Sequence, residues 1–371
     1  MMKKIMLMPF LSISSGHHQV AEALIEHIQG VMASVLCNKV DILRYSYGSM
    51  ESAVSRIYIK WIHSFPNLYD WLYRMSVYQP IQQPQRYRLY EWLFQYFVEK
   101  LVREEEPQII ICTHALPSYI LSRLKALGVI SIPVINVYTD FFINNLWGCG
   151  DIDYHFVPDA YLKQSLLQKG VPSERIYVTG IPIHPKITEN KEKPMSSSQM
   201  TVLISGGSLG AGVIRSLLRQ IGKTGNIQYK VLCGKNKHLQ EELMNLKHPR
   251  ITPLPYITSR EEMDELYNQI DAIVTKPGGV TVSECLYKRI PIFVYHALPG
   301  QERINLQHLK QQGLIVQADH WERDANMEEQ LLSILGSQEK SDGLHRNVDH
   351  YYDAITNKNI SLLLQNICQF H

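Results

Sequence analysis

No stretch of this chain carries the about 18 consecutive apolar residues that a membrane-spanning helix needs, so none is expected. Neither sign of charge is in excess. Lys plus Arg number 37 against 35 Asp plus Glu. That balance argues against a general nucleic-acid binder, which carries a basic surplus, but leaves room for a local basic patch. The six cysteines, Cys37, Cys112, Cys149, Cys233, Cys285 and Cys368, form no C-x-x-C pair, and H-E-x-x-H is absent as well. No metal site is inferred, and reduced, mostly buried thiols of a cytoplasmic protein are expected. No repeat of roughly 20 to 50 residues is present. The stretch Met1 to Phe10 is short and runs directly into Ser-Gly-His-His, so it reads as a first strand and not as a signal peptide.

The 371 residues suffice for two α/β domains, each with its own core. Apolar strand-like runs alternate with helical periodicity. In the first half the strands are expected at Lys3 to Met8, Val35 to Ile42, Gln108 to Cys112, Pro133 to Tyr138, Asp153 to Val157 and Ile176 to Val178. Helices are expected from about His17 to Val31 and from Leu116 to Leu127. Ser49 to Glu105 reads as helical. The second half repeats the alternation from Thr201 to Ser205, through Gln228 to Cys233 and Ala272 to Thr275, to Pro291 to Tyr295. Helices are expected at Leu209 to Ile221, Lys237 to Leu246 and Tyr351 to Cys368. Such alternation implies parallel, doubly wound sheets. Between the halves, Pro182, Pro185, Pro194, mixed charges and Ser196-Ser197-Ser198 mark a linker. The domains are therefore placed at 1–183 and 201–355, with a linker at 184–200 and a C-terminal helix at 356–371.

The most specific motif is Thr275-Lys276-Pro277-Gly278-Gly279-Val280-Thr281-Val282-Ser283-Glu284, followed by Pro299-Gly300-Gln301-Glu302. A buried strand, a glycine turn and a helix start make an anion site, because free N–H groups and the positive end of the helix dipole point at whatever sits there. Glu284 is placed to accept from sugar hydroxyls. The arrangement suits a nucleoside diphosphate held without metal. Gly206 to Gly212 forms a second glycine loop between strand and helix. It also matches the G-x-S-x-G elbow of serine hydrolases, and a plain turn remains an alternative.

In the first half, Ser15-Gly16-His17-His18 puts two imidazoles at a helix N-terminus. A helix N-terminus disfavours imidazolium and keeps a general base neutral; the bland alternative is a helix cap or a solvated ring. Thr113-His114 and Thr139-Asp140 end two further strands on the same rim. Asp151-Ile152-Asp153 reads as structural. Tyr58 to Phe97 holds 13 of the 35 aromatic residues and three of the five Trp, interleaved with Arg56, Lys60, Arg74, Arg86 and Arg88. That mixture suits an anionic headgroup interface, with helix packing as the alternative.

These motifs resemble the processive diacylglycerol glucosyltransferases and monogalactosyldiacylglycerol synthases, relatives of the lipid II N-acetylglucosaminyltransferase. The resemblance rests on Ser15-Gly16-His17, Thr139-Asp140-Phe141 with Trp147, Gly180-Ile181-Pro182-Ile183, Cys233-Gly234-Lys235-Asn236 and the 275–279 and 299–302 motifs. It implies a GT-B fold, two Rossmann-like domains facing a cleft, with the C-terminal helix crossing back to the first domain. It implies an inverting hexosyltransferase that uses a UDP-sugar as substrate, needs no cofactor or metal, and works at the inner face of the cell membrane. His17 would be the base; Asp140, by its place at a strand end, could orient a base or bind an acceptor hydroxyl. Gly207 and Ser208 would line the phosphate side, Cys233, Gly234 and Lys235 would flank the uracil, and Gly279, Val280 and Thr281 would cradle the diphosphate. Glu284 would hold the ribose, and Gln301 with Glu302 the donor sugar. Trp61, Phe65, Tyr69, Trp71, Arg74 and Trp92 would meet the lipid acceptor and an anionic membrane surface. The chain departs from the family in having Ser14 and Ser15 before Gly16, and Asn144 where a His is frequent. A polyprenyl-linked or other acceptor, or a UDP-sugar sensor without turnover, are the competing expectations.

Overall fold

The structure is a computed structural model and describes residues 3–10, 15–48, 86–189, 199–206, 214–298, 300–318, 321 and 327–370. The chain divides into two compact units. Unit 1 comprises Met1–Pro185, Pro299–Gln301 and Ala354–His371; unit 2 comprises Lys186–Leu298 and Glu302–Asp353.

Unit 1 is built on six parallel strands, β1 (Lys4–Met8), β2 (Leu36–Lys39), β3 (Ile109–Cys112), β4 (Val134–Val137), β5 (Tyr154–Val157) and β6 (Ile176–Val178). Their order is β2-β1-β3-β4-β5-β6. Every residue of β3 and β4 is buried, because helices cover both faces of a parallel sheet and its strands read as unbroken apolar runs. Those helices are α1 (Gly16–Val31), α2 (Ile42–Tyr47), α3 (Arg88–Glu105), α4 (Ala115–Ala126) and α5 (Ala160–Gln168). On α1 the residues Val20, Ala21, Ala23, Leu24 and Ile28 are buried, the three-and-four spacing of one apolar helix face. The order reverses between β1 and β3, so the crevice at their carboxyl ends is the expected ligand position of an open α/β sheet. The residues that follow those two ends are the segments leading to His17 and to Thr113-His114.

Unit 2 repeats the plan with β7 (Met200–Ser205), β8 (Ile227–Leu232), β9 (Ile251–Leu254), β10 (Ala272–Thr275), β11 (Ile292–Val294) and β12 (Val316–Gln317). All are parallel, in the order β12-β11-β10-β7-β8-β9. The reversal lies between β7 and β10, which puts the 275–279 turn at the switch point. The helices are α6 (Ile214–Leu218), α7 (Lys237–Leu246), α8 (Arg260–Asn268), α9 (Gly279–Tyr287), α10 (Gln301–Gln311), α11 (Met327–Leu335) and α12 (Gln338–Asp353).

The expected tail helix from Tyr351 to Cys368 is instead two helices, α12 and α13 (Ile360–Phe370). Polar side chains in the sequence between them compete with helical bonding. Asn359 Oδ1 accepts from the Leu362 N–H at 2.9 Å and starts α13, and the Asn357 N–H donates to the Val178 carbonyl at the end of β6. α13 lies in unit 1 on α1, where His27 bonds both Ser361 Oγ and the Ile183 carbonyl, each at 2.9 Å. Of the linker expected at 184–200, His184 and Pro185 group with unit 1, and unit 2 begins at Lys186. The Thr188 N–H and hydroxyl both donate to the Asp264 carboxylate, which also pairs with the fully buried Lys288 at 2.6 Å. Strand β9 escaped the sequence reading because Pro253 interrupts it; as an edge strand it needs no N–H there.

Candidate active site

In unit 1 the short connection after β1 delivers His17 to the first turn of α1. Its Nδ1 lies 2.7 Å from the Thr113 carbonyl and 2.8 Å from Thr139 Oγ1. A carbonyl can only accept, so Nδ1 carries the proton and Nε2 keeps a lone pair. The Thr113 hydroxyl in turn donates to the His17 carbonyl at 3.0 Å. Three segments, the ends of β3 and β4 and the start of α1, thus fix the ring and its tautomer. Burial lowers the His17 pKa below its ordinary value, partly opposed by Asp140. The ring is therefore neutral and oriented, as a general base requires.

His114 packs edge-on against His17 with centroids 4.8 Å apart, and stacks on Phe10. Its Nδ1 accepts from the Leu116 N–H at 3.1 Å and caps α4. Burial, then the neighbouring imidazoles, hold its pKa well below the usual value. His114 is thus a satisfied polar residue at a strand end, the plain alternative to a functional one. His17, His114, Thr139, Asp140, Phe142, Asn144 and Trp147 line one pocket. Asn144 closes a local turn, its Oδ1 accepting from the Leu146 N–H at 3.0 Å. The Asp151-Ile152-Asp153 motif is structural at Asp153, whose carboxylate accepts from Lys125 and from the Val134 N–H.

In unit 2, β10 ends at the buried Thr275 and the turn passes through Lys276, Pro277 and Gly278 into α9. No side chain caps this helix. The first-turn N–H groups of Gly279, Val280 and Thr281 have no residues one turn back within the helix to accept from them. Gly278 has φ −83° and ψ 136°, which any residue can adopt, and a Cβ added there would meet nothing within 4 Å. Neither strain nor packing requires glycine here, and the space in front of the helix N-terminus is open. The turn is anchored from beneath by Asn305 of α10, whose Nδ2 donates to the Pro277 carbonyl at 3.1 Å.

Glu284 sits one turn further along α9 and is buried. The Tyr267 hydroxyl donates to it at 2.9 Å, and Arg260 lies 3.5 Å away. Burial raises its pKa despite Arg260 and Tyr267. At the end of β8, Gly234 has φ +60°, a conformation that favours glycine. Cys233 beside it is buried, which pushes its thiol up to about 11, so it is a packing residue and not a nucleophile. Lys235 places its ammonium 5.3 Å from the Tyr256 ring centre. Glu302 accepts from the Leu298 N–H at 2.6 Å. Gln301 opens α10 and groups with unit 1. Gly207 and Ser208 lie outside the described residues.

Sequence reasoning missed Asn305, Tyr267 and Arg260, because nothing in a helical pattern marks the one residue that faces a turn three elements away. On α3, Leu89, Trp92 and Tyr96 are 65%, 79% and 67% exposed. Their spacing of three and four puts them on one helix face, next to the exposed Arg86 and Arg88. Trp61, Phe65, Tyr69, Trp71 and Arg74 lie outside the described residues. Among the described residues no helix is long and apolar enough to cross a membrane.

The chain is similar to known proteins in sequence and in fold. Residues 17–183 match the family model described as monogalactosyldiacylglycerol (MGDG) synthase. Residues 201–349 match the glycosyltransferase family 28 C-terminal domain. A Bacillus subtilis protein described as uncharacterized glycosyltransferase YkoN is 41% identical over 99% of this chain and 97% of its own. A processive diacylglycerol beta-glucosyltransferase of Bacillus cytotoxicus is 29% identical over 93% of this chain and 91% of its own. The crystal structure of MurG from Acinetobacter baumannii matches with a TM-score of 0.61 at 15% identity, covering 98% and 99% of the two chains. Two doubly wound parallel sheets and this likeness define a GT-B fold, and the chain belongs to the monogalactosyldiacylglycerol synthase and processive diacylglycerol glucosyltransferase family of GT-B glycosyltransferases.

Proposed function

We propose that the chain transfers a hexose from a UDP-sugar to a lipid hydroxyl, with diacylglycerol as acceptor and inversion at the anomeric carbon. The observation that carries this reading is the start of α9 behind Gly278, which no side chain caps and which has open space in front of it. In the proposed reaction His17 Nε2 takes the proton of the acceptor hydroxyl. The acceptor oxygen bonds to the anomeric carbon as the bond to the diphosphate breaks, and UDP leaves. The N–H groups of Gly279, Val280 and Thr281 and the α9 dipole meet the charge that grows on the leaving diphosphate. That role is electrostatic and requires no metal, so turnover in EDTA is expected to match turnover without it. Glu284 holds the ribose hydroxyls, and Gln301 with Glu302 the sugar.

The lipid acceptor is supported by the relatives' described activity and by the exposed face of α3. Leu89, Trp92 and Tyr96 beside Arg86 and Arg88 suit a peripheral contact with the anionic inner face of the cell membrane. Flotation with anionic vesicles that weakens as salt rises is the expected behaviour.

The deciding experiment measures UDP release from UDP-glucose, UDP-galactose and UDP-N-acetylglucosamine, each with and without diacylglycerol in anionic vesicles. Release with one donor that depends on diacylglycerol supports the proposal and names the sugar. Donor binding without release under every condition removes diacylglycerol as the acceptor.

A further inference from the structure

We propose that Gly148, gripped by Ser118 and Asn136, is a positioning device that fixes the Asp140–Trp147 wall of the His17 pocket, and with it the acceptor hydroxyl. The proposal rests on the transferase reading above for what the pocket holds.

The loop between β4 and β5 carries Asp140, Phe142, Asn144 and Trp147 into the pocket with His17. A loop this long needs a fixed point beyond its two strands, and Gly148 supplies one. Its carbonyl accepts from Asn136 Nδ2 at 2.8 Å, and its N–H donates to Ser118 Oγ at 3.1 Å. Both partners are fully buried and sit on rigid elements, Asn136 on β4 and Ser118 on α4. The approach is too close for a side chain. A Cβ on Gly148 would lie 2.5 Å from Ser122 Cβ and 2.7 Å from the Ser118 carbonyl oxygen. Its glycine is therefore required by proximity.

The clamp is set from below. A carbonyl can only accept, so the amide nitrogen of Asn136 must face Gly148. The same nitrogen lies 3.5 Å from the Tyr138 hydroxyl, which lies 3.0 Å from His155 Nδ1. The Tyr138 ring packs on Trp147 with centroids 4.5 Å apart. Strand pairing sets Asn136 directly against His155. The Asn136 Oδ1 atom is buried without a hydrogen-bond partner, so the amide gives up a bond on its oxygen while its nitrogen keeps the one that reaches the loop. Two residues past the end of β4, Thr139 touches His17. The base and the loop that lines its pocket are thus referenced to β4 and the two residues that follow it.

Ser118→Ala and Asn136→Leu each remove one grip without adding bulk to the loop; Gly148→Ala forces the loop off α4. Leaving a buried backbone group unpaired forfeits enough to predict about a tenfold fall in kcat/KM for the acceptor, since small displacements of a reacting group are felt strongly. The dissociation constant for the UDP-sugar is expected to stay unchanged, and hydrogen exchange to speed up in the 141–150 segment alone. An unchanged acceptor kcat/KM, or an equal loss of donor affinity, overturns the proposal. Ser118→Ala deletes a single oxygen and keeps the test open should Gly148→Ala not fold. If the wild-type protein glycosylates no lipid, the transferase reading fails by itself. Exchange in 141–150 then still decides whether Ser118 and Asn136 hold the loop.

Discussion

His17 is held in one tautomer by the Thr113 carbonyl, with the Thr139 hydroxyl beside the same nitrogen, and burial keeps it neutral. His17→Ala is expected to lower turnover by roughly a hundredfold or more while UDP-sugar affinity measured by calorimetry stays the same. The pH dependence has a definite sign. A lowered pKa means the base form persists as pH falls past 6.5, the ordinary histidine value. The kcat/KM profile should therefore stay flat through pH 6.5 and decline only at lower pH. An inflection at or above pH 6.5 in the free enzyme would remove His17 from the role. Glu284 tests the other half of the chemistry. Its carboxylate already accepts from Tyr267 and has further lone pairs for ribose hydroxyls. Glu284→Ala is expected to weaken UDP binding by about tenfold to a hundredfold, and retention of full affinity would refute the ribose assignment. Both residues were legible in the chain from their distance to a glycine turn. Thr113 was placed on the same rim, but its bonds to His17 were not foreseen, and Tyr267 and Arg260 were not assigned, because the strand ends and helix faces that bring these partners together are far apart in sequence.

At the scale of one element, α9 is a helix whose N-terminus is left open. An aspartate is among the best N-caps, and its charge also complements the dipole. Gly278 has the backbone geometry of a cap and open space around its Cα. Gly278→Asp is thus expected to raise stability by roughly half a kcal/mol while UDP binding is lost, because the new carboxylate occupies and repels from the anion site. Thermal unfolding with and without UDP reads both effects in one experiment. A variant that is more stable and still stabilised by UDP would show that the diphosphate binds elsewhere. The glycines of this turn stand out in the sequence, yet only the geometry separates Gly278, where space is open, from Gly148, where a side chain would collide.

For the whole molecule, the buried histidines set the response to acid. His155 lies fully inside unit 1, and burial lowers its pKa to about 4. Above pH 6.5 it is neutral in folded and unfolded chains alike. Below that, the unfolded chain takes up the proton first, so stability falls as pH drops from 6.5 to about 4. That shift corresponds to roughly 3 kcal/mol. His17, His27 and His114 are shifted the same way, each mainly by burial, and add to the slope. Urea unfolding at pH 7 and pH 4.5 is expected to show a clear loss for the wild type and a smaller one for His155→Gln. Equal losses in the two proteins would show that His155 is not protonated on unfolding.

The sequence by itself determined the two α/β halves, the approximate limits of most strands, the glycine turns and the histidine at the first helix start. These are local properties: a strand buried on both faces must be a continuous apolar run, and a phosphate turn must contain glycine. The tertiary structure decided what depends on contacts between distant segments. It placed the switch points at β1/β3 and β7/β10. It ended α12 and returned a separate α13 to α1 in unit 1. It fixed the His17 tautomer through Thr113, with Thr139 beside the same nitrogen, and gave Gly148 its partners on α4 and β4. The bond between His17 and Thr139 joins residues 122 positions apart, and that between His27 and Ser361 residues 334 apart. No local spacing records them, because the fold alone brings those backbones within reach.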